Sequence, residues 1–154
     1  MLGEVRYEED FYAWTQDQAR LLRSVGGLSD NRLDREQVAE EIEDLGKSER
    51  DAVRSQIRRI LEHFLKLQFS PAQAPRYDWM ASIADARSVL SDKLSPTLLR
   101  DADATLPRLY ADARRQAVLA LAKFAEEAEA KGLPSQCPYS LDEIRRDDWY
   151  PEPP

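Results

Sequence analysis

The chain has 154 residues, of which 42% are hydrophobic, enough to bury one contiguous core in one domain. A formal charge of −7 and a pI near 4.9 argue against nucleic acid or anionic lipid as the main partner, since such binding rests on Lys and Arg neutralising phosphate. Five Gly and prolines confined to breaks favour long helices over strands, and Cys137, the lone cysteine, excludes an internal disulfide and a thiolate-rich zinc site.

Tyr7, Phe11, Trp14, Gln18, Leu21 and Val25 recur at alternating spacings of four and three, which predicts a first helix over 8–24, ended by Gly26-Gly27. Asp34 is placed to cap a second helix, with Gln37 three positions on completing a capping box. That helix meets no proline before Pro71, and Val38, Ile42, Leu45, Val53, Ile60, Phe64 and Leu67 keep one phase along it, with Gly46 its weak point. After the proline-bounded loop 70–76, Met80, Ile83, Ala84, Leu90 and Leu94 mark a third helix over 77–94. Ser95-Pro96 starts a fourth, whose stripe from Leu99 to Ala128 runs towards a cap at Gly132, with Pro107 expected to kink or divide it.

Residues 133–154 read as a mostly irregular tail packed on the single domain 1–154, apart from a capping box at Ser140-Leu-Asp-Glu143 that opens a short last helix. The expected fold is all-α: an antiparallel bundle of four main helices plus the short C-terminal one, with the ends of the long helices projecting. The opening MLGEVRYEED has no apolar signal-peptide core, and Ala117–Ala122 is far too short an apolar run to span a bilayer. The expected setting is the cytoplasm, away from membranes.

Polar residues on the apolar stripes are the candidates for function. At about 100° per residue, Glu49, Gln56 and His63 fall on the inward side of the second helix, and Arg87 on that of the third. A buried Arg or Glu without a partner costs several kcal/mol, so an ion pair between Glu49 and Arg87 is expected, with Glu41 as substitute partner in another register. His63, the only histidine, is the natural general base or ligand, although a lone histidine among Ile60, Phe64 and Leu67 is more often a hydrogen-bonded core residue. The candidate polar site is thus Glu41, Glu49, His63 and Arg87, with no metal ligand set and no cofactor assigned. Cys137 lacks a local base and reads as a packed loop residue.

Residues 38–50, VAEEIEDLGKSER, gather five carboxylates. Glu40, Glu43, Asp44, Lys47, Arg50 and Asp51 lie opposite Ile42 and read as a solvated face with helix-stabilising pairs. Glu40-Glu41-x-x-Asp44 resembles the first half of the acidic motif of all-α nucleotide pyrophosphohydrolases, in which carboxylates hold magnesium; the second half is missing here.

YEEDFYAWTQDQARLL, AEEIEDLGKSERDAV, HFLKLQF and CPYSLDEI, in that order, resemble the bacterial family known as domain of unknown function twenty-nine. The resemblance spans nearly the whole chain and implies a compact helical protein with no assigned reaction. Its motifs fall on Trp14, Gln18, Glu41, Glu43, Asp44, Leu45, Ser48, Glu49, Arg50, His63, Lys66, Trp79, Arg87, Cys137, Pro138 and Tyr139. Leu67 stands where relatives commonly carry Trp. The expected role is a protein-interaction or structural module, engaging a protein partner or itself; the alternative is a metal- or anion-binding hydrolase built on Glu41, Glu49, His63 and Arg87.

Overall fold

A computed structural model of the chain describes residues 4–26 and 30–154. It contains six helices among those residues: α1 Phe11–Ser24, α2 Arg35–Phe69, α3 Arg76–Lys93, α4 Pro96–Lys123, α5 Glu127–Lys131 and α6 Leu141–Arg145. The all-α class with four main helices is therefore the fold observed. No helix is long and apolar enough to cross a membrane among the described residues.

Local chemistry sets the boundaries. The Asp10 carboxylate accepts the Ala13 N–H at 3.0 Å and starts α1 at Phe11, three residues later than the stripe suggests. Asp34 caps α2 through the Gln37 N–H at 3.2 Å, but the Gln37 amide reaches forward to Glu41 at 3.1 Å, so the expected box does not close. Ser140 and Glu143 do form theirs at the start of α6. The first helix ends at Ser24; of the Gly pair expected to stop it, Gly27 lies outside the described residues.

The fourth helix departs from expectation twice. It continues through Pro107 without dividing, and it ends at Lys123 instead of running on to Gly132. The stop is a reversed corner in which the Glu126 N–H donates to Leu121 O and the Ala125 N–H to Ala122 O, with Ala125 at a φ of 60°. This is the hydrogen-bond pattern of a glycine-ended helix, built on alanine. Gly132 caps the short α5 instead, at an ordinary negative φ.

The central element is α2, 35 residues long and about 52 Å at 1.5 Å per residue. Its C-terminal half buries Val53, Ile57, Ile60, Leu61 and Phe64 against Ile83 and Leu90 of α3 and Leu98, Leu109 and Leu121 of α4. Leu133, Tyr139 and Ile144 from the tail close the same core. The apolar area removed from water here is the main source of stability.

Its N-terminal half is packed differently. There α2 packs mainly against α1, antiparallel to it, and the two helices form a hairpin joined to the rest of the bundle at its base. The buried residues along their contact are small: Thr15 and Ala19 of α1, Ala39 and Gly46 of α2. A Cβ built on Gly46 would collide with Thr15 Oγ1 and lie 2.7 Å from Gln16 Nε2, so the glycine read as a weak point is what lets the two backbones approach. The hairpin base is tied down where Asp10 accepts the Thr97 N–H at 2.8 Å and Arg54 bonds Asp101 through two N–H groups at 2.9 and 2.6 Å.

The stripe reading of α1 and of the first half of α2 is thereby corrected. Tyr7, Leu21, Val25, Val38 and Leu45 are 37–53% exposed instead of buried. The helices close through their small residues, which leaves the large ones to the side.

Candidate functional site

The four candidate residues do not converge. Glu49 pairs with Lys93 at 2.9 Å, both side chains about one-third exposed. Glu41 is exposed, its carboxylate taking only the Gln37 amide. The Nδ1 of half-buried His63 lies 2.7 Å from the Arg59 carbonyl of its own helix, and burial lowers its pKa below the usual imidazole value, which keeps it neutral at pH 7. Glu49 and His63 are about 21 Å apart along α2, and no hydrogen bond or ion pair joins any two of the four. Among the described residues, no group of three His, Cys, Asp or Glu is placed to hold a metal ion.

Arg87 is buried as its position demanded, only 3% exposed, but its partner is not Glu49. It lies level with Phe64, fifteen residues from Glu49 along α2. Its guanidinium stands over the rings of Phe64 and Tyr150 at 5.4 and 5.2 Å. Its N–H groups donate to the backbone carbonyls of Ile144 and Glu143 at 2.9 Å each, Asp147 at 3.2 Å and Trp149 at 2.7 Å. The last carbonyls of a helix lack intrahelical partners and carry partial negative charge, so the end of α6 substitutes for a carboxylate. Burial still lowers the pKa of Arg87, yet a guanidinium stays charged in a protein.

Around this arginine the tail is fixed. Phe64, Tyr139 and Trp149 meet edge to face with centroids 5.0–6.2 Å apart, and Tyr139 Oη donates to Gln68 Oε1 at 2.6 Å. Burial raises the Tyr139 phenol far above its ordinary range and pushes Tyr110, whose hydroxyl donates to Pro134 O, up to about 12. It also raises the Cys137 thiol, whose Sγ donates to Tyr139 O. None of these groups is poised for proton transfer or nucleophilic attack near pH 7.

A different surface stands out. Six of the nine large hydrophobic residues exposed among the described residues belong to the hairpin and its ends: Tyr7, Leu21, Val25, Leu33, Val38 and Leu45. Taking Thr15 and Gly46 as the contact line and about 100° per residue, Phe11, Trp14, Gln18 and Leu21 lie roughly 40–120° to one side of α1, and Val38, Ile42 and Leu45 lie at a similar angle on α2. Because the helices are antiparallel, these residues share one side of the hairpin. The opposite side is polar: Arg23 bonds Glu43 at 2.5 Å and Glu36 at 3.0 Å, Lys47 bonds Glu43 at 2.8 Å, and Gln16 donates to the Glu43 carbonyl at 3.1 Å. Arg23 and Lys47 hold the Glu43 carboxyl down to about 2. Tyr7, Phe11 and Trp14 pack on one another with centroids 4.9–6.1 Å apart.

The hairpin is also where the charge resides. Residues 1–50 carry 13 acidic and 7 basic residues, a net −6 of the chain's −7. Glu40, Glu41 and Asp44 have no cationic partner among the described residues, and Glu41 borders the apolar side beside Leu45. Sequence reasoning found the residues of this surface other than Leu33 but assigned them to the core, because a stripe at helical spacing does not reveal which side a narrow, small-residue contact will use.

Fold and surface together define a small helical bundle whose first two helices project as a hairpin with one apolar and one charged side. The family profile described as Domain of unknown function DUF29 matches residues 6–150, and the chain belongs to that family. It is similar to an α-helical protein of unknown function from Rhodospirillum rubrum, with a TM-score of 0.83 and 30% identity over 96% of this chain and 93% of that one. No curated protein matches the chain.

Proposed function

We propose that this protein is an interaction module whose hairpin receives a basic amphipathic helix from another protein. The observation that carries the reading is the side of α1 and the first half of α2 on which Leu21, Val38 and Leu45 are exposed and Phe11, Trp14 and Ile42 half-buried, on a segment of net charge −6. An apolar surface of this kind favours burial against a partner. A helix laid between two helices is read through residues three and four apart, which is the spacing of Phe11, Trp14, Gln18 and Leu21 on one wall and Val38, Ile42 and Leu45 on the other. Charge selects the partner: a second copy would bring two segments of net charge −6 together, whereas Lys or Arg flanking an apolar stripe complements that charge and Glu41, the carboxylate at the border of the apolar side. The hydrolase alternative gains no support from Glu41, Glu49, His63 and Arg87, which point into four different surroundings.

The test is fluorescence anisotropy with a labelled cationic amphipathic peptide helix, an acidic one of the same apolar pattern, and a scrambled cationic one. The cationic amphipathic peptide should bind best, more weakly as salt rises, and Leu45→Asp should weaken it about tenfold or more while melting at the wild-type temperature. Equal binding of the scrambled peptide, or sedimentation showing that the hairpin side is already occupied by a second copy, would contradict the reading.

A further inference from the structure

A groove of about 570 Å³ lies between the last turn of α2, the loop 70–75, the first turn of α3 and the α4–α5 corner. It has the size and the mostly apolar lining of a small-molecule site. Trp79, Leu121 and Phe124 form its apolar walls, while Ser70, Asp78 and Glu126 supply oxygens. The Ala125 corner shapes it. A non-glycine residue in the left-handed region is strained, and here that conformation leaves Phe124 71% exposed at the rim and brings Glu126 over Ser70.

Ser70 is fully buried, donates to Glu126 with Oγ at 2.9 and 3.0 Å from the two carboxylate oxygens, and accepts the Ala72 N–H at 3.2 Å. Its hydroxyl proton is committed to the carboxylate, and Lys66, four residues earlier, is paired with Glu62 at 3.0 Å and unavailable as a base. Serine therefore orients Glu126 and does not attack. The neighbouring cations are engaged elsewhere: Arg76 bonds the carbonyls of Leu67, Ser70 and Ala72, and Lys123 stands over the Phe124 ring at 5.8 Å. Glu126 and Asp78 have no ion-pair partner among the described residues, and they border aromatic faces that attract cations.

We propose that this groove binds a small organic ammonium with an apolar body, the ammonium against Glu126 and Asp78 and the body between Trp79 and Phe124. The site is separate from the hairpin, so its failure would leave the reading of the hairpin untouched. Titration calorimetry with phenethylamine, phenylacetate and phenethyl alcohol tests it, on wild type, Glu126→Gln and Asp78→Asn. Saturable binding of the amine over the acid and the alcohol, weakened about tenfold or more by Glu126→Gln, is the expected result. If Glu126→Gln disturbs the corner, seen as a lowered melting temperature, Asp78→Asn, exposed and free of internal bonds, carries the comparison in its place. Preference for the acid or the alcohol, amine binding indifferent to whichever carboxylate variant keeps the fold, or no saturable binding by any of the three overturns the proposal.

Discussion

Replacing Gly46 by Ala tests the packing of the hairpin through the sign of its effect. In an ordinary helix interior Gly→Ala stabilises by about 1 kcal/mol. Here the new methyl would collide with Thr15 Oγ1 and stand 3.1 Å from Thr15 Cβ and 2.7 Å from Gln16 Nε2. Thr15 cannot swing aside cheaply: it is fully buried, donates to the Tyr12 carbonyl at 2.7 Å and accepts from Gln16 at 3.2 Å. Overpacking of this kind costs typically 1–3 kcal/mol, and with the whole α1 backbone forced outward the upper end applies. The net is a loss of about 2 kcal/mol, or roughly 4–8 °C in melting temperature for a chain of this size. Thermal and urea unfolding of Gly46→Ala, Thr15→Ala and the double variant measure it. The double variant should be less damaged than the sum of the singles, because Thr15→Ala removes the colliding oxygen. A Gly46→Ala protein more stable than wild type would refute the close contact of α1 with α2.

Other consequences follow from the same structure. Arg87→Ala removes four hydrogen bonds to tail carbonyls and two ring contacts, and should cost about 3 kcal/mol in urea unfolding and open residues 141–154 to proteolysis. Arg87→Lys should not restore it, since an ammonium cannot span that fork of acceptors; full rescue by Lys would contradict the assignment. Burial opposes ionisation of Asp10, but the Ala13 and Thr97 N–H bonds outweigh it and hold the carboxyl below its ordinary value. Its contribution is therefore complete above the unfolded pKa near 3.8 and is lost as pH falls through the lower folded value. Asp10→Asn should be less stable than wild type at pH 7 and converge on it in acid, and a constant difference across that range would count against the assignment.

Most of the helices were legible because periodicity, proline and capping residues are local signals. The second helix spans Arg35–Phe69, between Asp34 and Ser70 as the cap and Pro71 implied, and the Ser140–Glu143 box formed where its residues stood. What the chain concealed was which face each helix would use. Thr15, Ala19, Ala39 and Gly46 carry little hydrophobic weight, yet a line of small residues brings two backbones close, and that decision turned Leu21, Val38 and Leu45 outward. The partner of Arg87 was hidden for another reason: burial of a cation could be inferred from its phase, but backbone carbonyls belong to every residue and leave no mark in a sequence. The Ala125 corner escaped notice likewise, since the expected signal for a left-handed helix end is glycine and the nearest one, Gly132, lay seven residues on.

A receptor surface for a cationic helix is what we propose for the apolar side of the hairpin. Amide chemical-shift mapping during titration with the cationic amphipathic peptide tests it most directly. Saturable shifts should cluster at Phe11, Trp14, Gln18 and Leu21 and at Val38, Ile42 and Leu45, with the Arg23–Glu43 side and the tail around Arg87 unchanged. Shifts centred on α4 or the tail, or none on the hairpin at saturating peptide, would contradict it.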